Sequence, residues 1–385
     1  MKILLYTWLH EFTIKDIIES FQNLSINYDV VSYDVFHKNK AKCPELFNCI
    51  YSRLSEQNYD AVFSVNYFPD VAKACFEKNT LYISWTYDCP LDIENIEDTI
   101  NLSTNRAFFF DKEQCEELGN INNTVFHFPL AVNSKRASKS RFTSSYSSEI
   151  SFVGRIYHSA FPTLTKYLDE YNLGYLSGLI EAQKNIYGSY LCKSILTTEY
   201  LNNLNDLLKK QDCPFTKDNN VSNRQLAYLL ATEATFENRL LCLGLLSKYY
   251  DLKWYTTNDS ETLSNIHKCP PVDYLTEMPL VFKSSKINLH IGLHSIPSGI
   301  SLRQLDIMSC GGFLLSSFQP ELFDYFIPGE DFDYFSSPEE ALDKARFYLL
   351  NDSIRKKIVQ SGAEKTNKIF SYSERLPKLL DLAMK

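Results

Sequence analysis

The chain reads as an α/β protein of two parallel-sheet domains, and three observations lead there. Short apolar runs alternate with amphipathic helical stretches through the first half, the pattern of strands joined by crossover helices. A polar, aperiodic stretch over residues 134–148 interrupts this pattern, which then restarts. At 385 residues the chain also exceeds what one hydrophobic core usually fills.

The elements follow in order. Residues 2–6 read as a strand and 14–24 as an amphipathic helix. Residues 28–33 give a second strand, followed by a helix over 44–54. Residues 60–65 give a third strand, and Pro69 opens a helix reaching Lys78, because a first helical turn has no use for the missing N–H. Strands over 81–85, 106–110 and 124–127 complete a first domain, residues 1–133, which lacks the G-x-G-x-x-G fingerprint of dinucleotide binding. Residues 134–148 are the predicted linker, and the second domain, 149–385, opens with a strand ending in Gly154-Arg155. A helical insertion spans about 160–250, with long periodic stretches over 200–209 and 223–249. Strands over 252–256 and 287–293 resume the sheet, and 342–385 reads as two or three closing helices of the same domain.

Composition narrows the function. A net charge of −8 and a pI near 5.5 argue against general binding to nucleic acid or acidic membranes. The ten cysteines contain no C-x-x-C pair, which fits reduced thiols in a cytoplasmic protein better than a disulfide framework or a zinc site. His10 and Glu11 end the N-terminal apolar run before it reaches signal-peptide length, and no window predicts a transmembrane helix.

The densest information lies in residues 299–317. Here the sequence spells loop, short helix, glycine turn and strand: Ser301 and Gln304 have capping-box spacing, Leu302, Leu305, Met308 and Ser309 share a helical face, and Gly311-Gly312 stops the helix. Exposed N–H groups in a first helical turn favour an anion, and Arg303 adds a full positive charge there. Asp306 shares its face. A cation that forks onto phosphate beside a carboxylate that accepts two hydroxyls suits a nucleoside diphosphate and its ribose. The same spacing also suits an internal ion pair.

Residues 302–315, Leu-Arg-Gln-Leu-Asp-Ile-Met-Ser-Cys-Gly-Gly-Phe-Leu-Leu, resemble the C-terminal signature of the CgeB-like glycosyltransferases, a branch of the GT-B fold. The similarity continues through 320–326, 329–334 and 370–375, and residues 82–90 resemble the N-terminal half that often accompanies this domain. The resemblance implies two Rossmann-like domains facing a central cleft. It also implies metal-independent transfer of a sugar from a nucleotide-sugar co-substrate, with no other cofactor. The C-terminal domain would hold the donor and the N-terminal domain an unidentified acceptor. A nucleotide-sugar epimerase of the same fold and a non-catalytic nucleotide-sugar-binding or coat-associated protein are the rival readings. Retaining GT-B enzymes often carry a glutamate eight residues before the position of Asp306; this chain has Ser298.

Candidate site residues follow. Gly154 and Arg155 end a strand where α/β sheets bind ligands, and the resemblance makes Arg155 a phosphate ligand, although residues 156–159 lack the usual partner lysine. Ser298, Gly299 and Ser301 lie in the loop before the helix, as further donor-nucleotide contacts beside Arg303 and Asp306. Trp85 and Tyr87 could stack on a sugar and Asp88 could act as base, or Trp85 could be core and Asp88 a helix cap. His294 in the loop after residues 287–293, and His10 after the first strand, are candidates for sugar or acceptor contact, whereas His290 reads as a satisfied core histidine. Lys283 and Lys286 read as solvated charges. Asp331-Phe-Asp333 mimics a D-x-D metal motif, but its neighbours make it an edge strand, and no metal is expected.

Overall fold

The computed structural model describes every residue except 9–11, 35–42, 92, 94, 120–121, 218, 258–262 and 264. Two compact units emerge, Met1–Ser134 with Gly299–Leu305 and Thr366–Lys385, and Lys135–Ser298 with Asp306–Lys365.

The first unit holds a six-stranded sheet of β1 (Lys2–Thr7), β2 (Asn27–Ser32), β3 (Ala61–Val65), β4 (Leu81–Thr86), β5 (Asn105–Phe109) and β6 (Val125–His127), in the order β2-β1-β3-β4-β5-β6. Every pair in it is parallel. Each residue of β3 is buried, as the run Ala-Val-Phe-Ser-Val requires of a strand covered on both faces. The helix Pro69–Glu77 does open with its proline.

The second unit repeats the plan with β7 (Ser148–Val153), β8 (Leu252–Tyr255), β9 (His267–Cys269), β10 (Ser285–His290), β11 (Leu314–Ser317) and β12 (Asp333–Phe335), in the order β12-β11-β10-β7-β8-β9. These pairs are parallel too. Strand order reverses between β7 and β10, and the carboxyl ends at such a reversal are where open α/β sheets take their ligands.

The helical insertion is present as Phe161–Leu164, Glu170–Lys184, Leu191–Ile195, Thr198–Lys210 and Asn223–Leu246. It has its own core, in which Leu176, Leu204, Leu208, Leu226 and Leu230 meet. The 24-residue helix Asn223–Leu246 starts with a capping box from Ser222 and Gln225 and serves two cores. Its first half packs in the insertion, while Cys242, Leu243 and Leu246 pack under the sheet.

Two expected boundaries shift. Of the expected linker 134–148, residues 135–148 are built into the second unit: Ser140 Oγ donates to the Cys310 carbonyl (3.0 Å), and Thr143 N donates to Ser284 Oγ (2.8 Å). The end of the chain belongs to the first unit. Val132 N donates to the Phe370 carbonyl (2.8 Å), and Tyr372 N donates back to the Val132 carbonyl (3.1 Å). Backbone pairing decides this placement, and it carries the helix Tyr372–Ala383 with it.

Candidate active site

Arg239 joins the two strands at the order reversal of the second sheet. It lies in the helix Asn223–Leu246 and is only 7% exposed. Its Nε donates to the Ile291 carbonyl just past β10 (3.1 Å), and its Nη1 donates to the Arg155 carbonyl just past β7. The guanidinium stands 5.4 Å from the centre of the Phe152 ring and 5.1 Å from that of Tyr157. Arg155 beside it is exposed, and Gly154 is fixed through its carbonyl by Trp254 Nε1 (2.8 Å). Two arginines therefore meet at the strand ends, one presented to solvent and one buried. Sequence reading missed Arg239, because an arginine in mid-helix looks like any surface arginine.

The loop after β10 is braced by the segment after β11. Gly292 N donates to Ser317 Oγ (2.9 Å), and Gln319 Nε2 donates to the Ile296 carbonyl (3.3 Å). Ser298 Oγ donates to Glu321 Oε1 (2.7 Å), and Glu321 N returns a bond to the Ser298 carbonyl (3.1 Å). Ser317, Gln319 and Glu321 are all buried, so alternate residues of one segment form the brace. His294 lies in the braced loop, with its N–H bonded to Thr235 Oγ1 (3.0 Å). Burial, and then the charge of Arg239, push its imidazole down from the usual 6.5 to about 4, so it is neutral near pH 7. His290 is buried with Nδ1 3.2 Å from Ser316 Oγ, a core histidine as read.

The helix after this loop runs Leu302–Ser309. Since β10 and β11 are parallel, it begins at the carboxyl edge of the sheet. Gln304 Oε1 accepts from Ser301 N (2.8 Å), the reciprocal half of the expected capping box. Gly311 has φ +69 and ends the helix, and a Cβ on Gly312 would come 2.6 Å from Asn288 Nδ2. Arg303 is half-buried in the first turn. Asp306 is 7% exposed, and Tyr274 Oη lies 3.3 Å from its Oδ1. The Tyr274 ring in turn lies 5.0 Å beneath the Arg136 guanidinium.

Residues 224–381 match the glycosyl transferase-like family. In fold, the chain is similar to sucrose-phosphate synthase from Thermosynechococcus elongatus, at 8% identity and a TM-score of 0.59, covering 100% of this chain and 98% of that one. It is similar also to Anabaena HepE solved with UDP and glucose, at 9% identity and 0.54, covering 99% of each chain. A glycosyltransferase from Rickettsia africae aligns at 11% identity and 0.53, over 99% of this chain and 97% of that one. The chain has the GT-B fold, and residues 224–381 carry its glycosyl transferase-like region. No curated protein matches its sequence.

Several residues read as ligands have structural work instead. Gly299 N donates to Asp111 Oδ2 (2.6 Å), so its N–H is already taken by a carboxylate, and a Cβ there would lie 2.8 Å from the Asp111 backbone. Ser301 directs its N–H and hydroxyl to Gln304, which makes it a helix cap. Trp85 is fully buried among the rings of Tyr87, Phe128 and Tyr372, so it is core and not a stacking platform. The Tyr87 hydroxyl bonds that of Tyr372 (2.9 Å). Asp331 is ion-paired to Lys365 and bonded by Ser361 (2.6 Å), while Asp333 on the edge strand β12 takes Lys344 (3.0 Å) and Tyr348 (2.6 Å). Both carboxylates of the D-x-D mimic hold the fold.

Asp88 keeps an exposed carboxylate just past the end of β4. Asn66, in the left-handed region at φ 63, orients it: its Oδ1 accepts from the Tyr87 and Asp88 N–H groups (2.8 and 3.1 Å), and its Nδ2 donates to Asp88 Oδ2 (3.0 Å). His10 lies outside the described residues.

Proposed function

We propose that this glycosyltransferase moves a sugar from a nucleotide-sugar donor, held by the second unit, to an acceptor hydroxyl, and that it needs no metal. The observation that carries the reading is Arg239 bridging the ends of β7 and β10 beside exposed Arg155. Arg239 supplies the second cation that residues 156–159 lack. As the bond between sugar and phosphate breaks, negative charge gathers on the leaving diphosphate. Prearranged cations at the strand ends stabilise that charge without reorganising, the largest effect usually available to such a site. Arg303, in the first turn of its helix, is a further candidate cation for the donor. Asp306 accepts the ribose hydroxyls. HepE, a protein of similar fold, has been solved with UDP and glucose, which supports a diphosphate donor.

Asp88 on the first unit takes the acceptor proton if the enzyme inverts; if it retains, the departing phosphate takes it. The resemblance over 302–315 supports a reading on the CgeB-like branch. Ten free thiols favour a cytoplasmic location. Among the described residues no helix is long and apolar enough to cross a membrane.

Calorimetry with UDP, GDP and ADP, each with and without a chelator, tests the reading. Binding of at least one diphosphate that survives the chelator is the expected result. Binding that disappears with the chelator would remove the metal-independent part, and no binding by any of them would remove the donor assignment.

A further inference from the structure

His294 is buried to 5% exposure, and its Nε2 has no hydrogen-bond partner in the protein. Buried polar atoms are nearly always paired, so an orphan at the carboxyl edge of a ligand-binding sheet calls for a partner from outside the chain. The rest of the residue is held firmly. Its backbone N–H is bonded to Thr235, a backbone hydrogen bond from Ile186 engages the ring, and the Tyr187 ring lies 5.2 Å away at 36°.

The last two contacts come from the turn that closes the helix Glu170–Lys184, and the turn is itself fixed. Gln183 Nε2 donates to the carbonyls of Ile186 (3.1 Å) and Ser189 (2.9 Å). Asn238 Nδ2 donates to Tyr187 Oη (2.6 Å). Gly188 is left-handed at φ +72, where a Cβ would come 2.7 Å from the Phe318 ring. The helical insertion thus builds one wall around the imidazole and leaves a single nitrogen unanswered.

The chemistry of that nitrogen selects its partner. A neutral imidazole has one N–H and one lone pair; the Ile186 backbone engages the ring, and a tautomer that spends its N–H there leaves a lone pair at the unpartnered Nε2. A lone pair repels phosphate oxygens, and the charge of Arg239 nearby disfavours a cationic ligand. What remains is a neutral O–H or N–H donor next to the phosphate cations, which on a nucleotide-sugar is a hydroxyl of the sugar.

We propose that His294 Nε2 accepts a hydrogen bond from a hydroxyl of the transferred sugar, which makes His294 a specificity-determining residue for the donor. The inference rests on the nucleotide-sugar reading above. A hydroxyl that answers a buried, otherwise unpaired acceptor discriminates strongly, because a sugar without it leaves the nitrogen orphaned.

Calorimetry on the whole protein tests this, using UDP, GDP and ADP beside their glucose and galactose conjugates. For the nucleotide that wild type binds, His294→Phe should keep the free diphosphate affinity within about twofold and weaken the conjugate about tenfold, the scale of one hydrogen bond to a buried group. His294→Gln, which restores an acceptor, should recover part of the loss. In a series of deoxy-sugar conjugates on wild type, one position should show the same tenfold loss, and that series also decides the matter if His294→Phe does not fold. Equal losses for diphosphate and conjugate, or a deoxy series with no weak member, would overturn the inference and leave the donor assignment standing. Wild type that binds no nucleotide would overturn both.

Discussion

The Ser298 hydroxyl donates to the Glu321 carboxylate at 2.7 Å, and the two residues are also joined through their backbones at 3.1 Å. By the GT-B resemblance, Ser298 stands where retaining enzymes often carry a glutamate, and here a buried glutamate bonds it from the segment after β11. Ser298→Ala removes one hydrogen bond to a charged acceptor and should lower stability by about 1.5–3 kcal/mol. Ser298→Glu sets a second carboxylate against Glu321 and should cost more, with partial recovery in the double variant carrying Glu321→Gln. Urea denaturation of the four proteins checks this, and purely additive losses would contradict the pairing.

Asp306→Asn keeps the shape of the side chain and its proximity to Tyr274 Oη. It weakens acceptance from ribose hydroxyls, so nucleotide affinity should fall by roughly 1–3 kcal/mol with folding little changed. A 2′-deoxyribose nucleotide should show a similar loss on wild type and little further loss on the variant, since coupled partners are not additive. Calorimetry of both ligands on both proteins decides whether Asp306 touches the ribose.

The neutral His294 makes stability depend on pH. The unfolded chain takes up this proton as pH falls through 6.5, but the folded chain resists until about 4, so acidification between these values favours unfolding. The pKa difference corresponds to about 3 kcal/mol once pH 4 is reached. Replacing His294 with Phe should flatten this limb in urea titrations at pH 7 and pH 4.5. Arg239→Leu should act in two ways: it frees the carbonyls of Arg155 and Ile291 and lowers stability by roughly 2–4 kcal/mol, and it moves the limb to higher pH by removing a neighbouring charge. A limb that stays in place would mean that Arg239 does not reach the imidazole.

Asp331→Ala removes a buried carboxylate that half-buried Lys365 and Ser361 bond, and should cost about 1.5–3 kcal/mol in thermal or urea unfolding. Diphosphate affinity of the folded protein should stay as in wild type, measured by calorimetry at low temperature. A loss of affinity with stability intact would restore Asp331 to the ligand site.

The strands of the first unit, the helix Leu302–Ser309 and its glycine stop were legible because each is set by short-range demands. Apolar spacing reports which face is covered, a capping pair satisfies N–H groups within one turn, and Gly311 accepts a positive φ at no steric cost. The GT-B resemblance over 302–315 added an expected donor side, and Arg155, Arg303 and Asp306 remain candidates there. Other residues depend on partners far away in the chain. Gly299 turned out to spend its N–H on Asp111, and Trp85 to be enclosed by Phe128 and Tyr372.

The sequence by itself determined the alternating elements, the helical insertion and the short helix with its charges, since those follow from hydrogen bonding and burial over a few residues. Only the tertiary structure decided that β10 lies beside β7, and from that pairing comes the role of Arg239, which bonds both strand ends from a helix more than fifty residues before one of them. It likewise decided that His294 is covered by the turn at Ile186–Gly188 and that the chain's last helix packs with the first unit. Such pairings are chosen by the total burial and hydrogen bonding of a whole sheet and its covering helices, a sum over distant segments that no local pattern of residues contains.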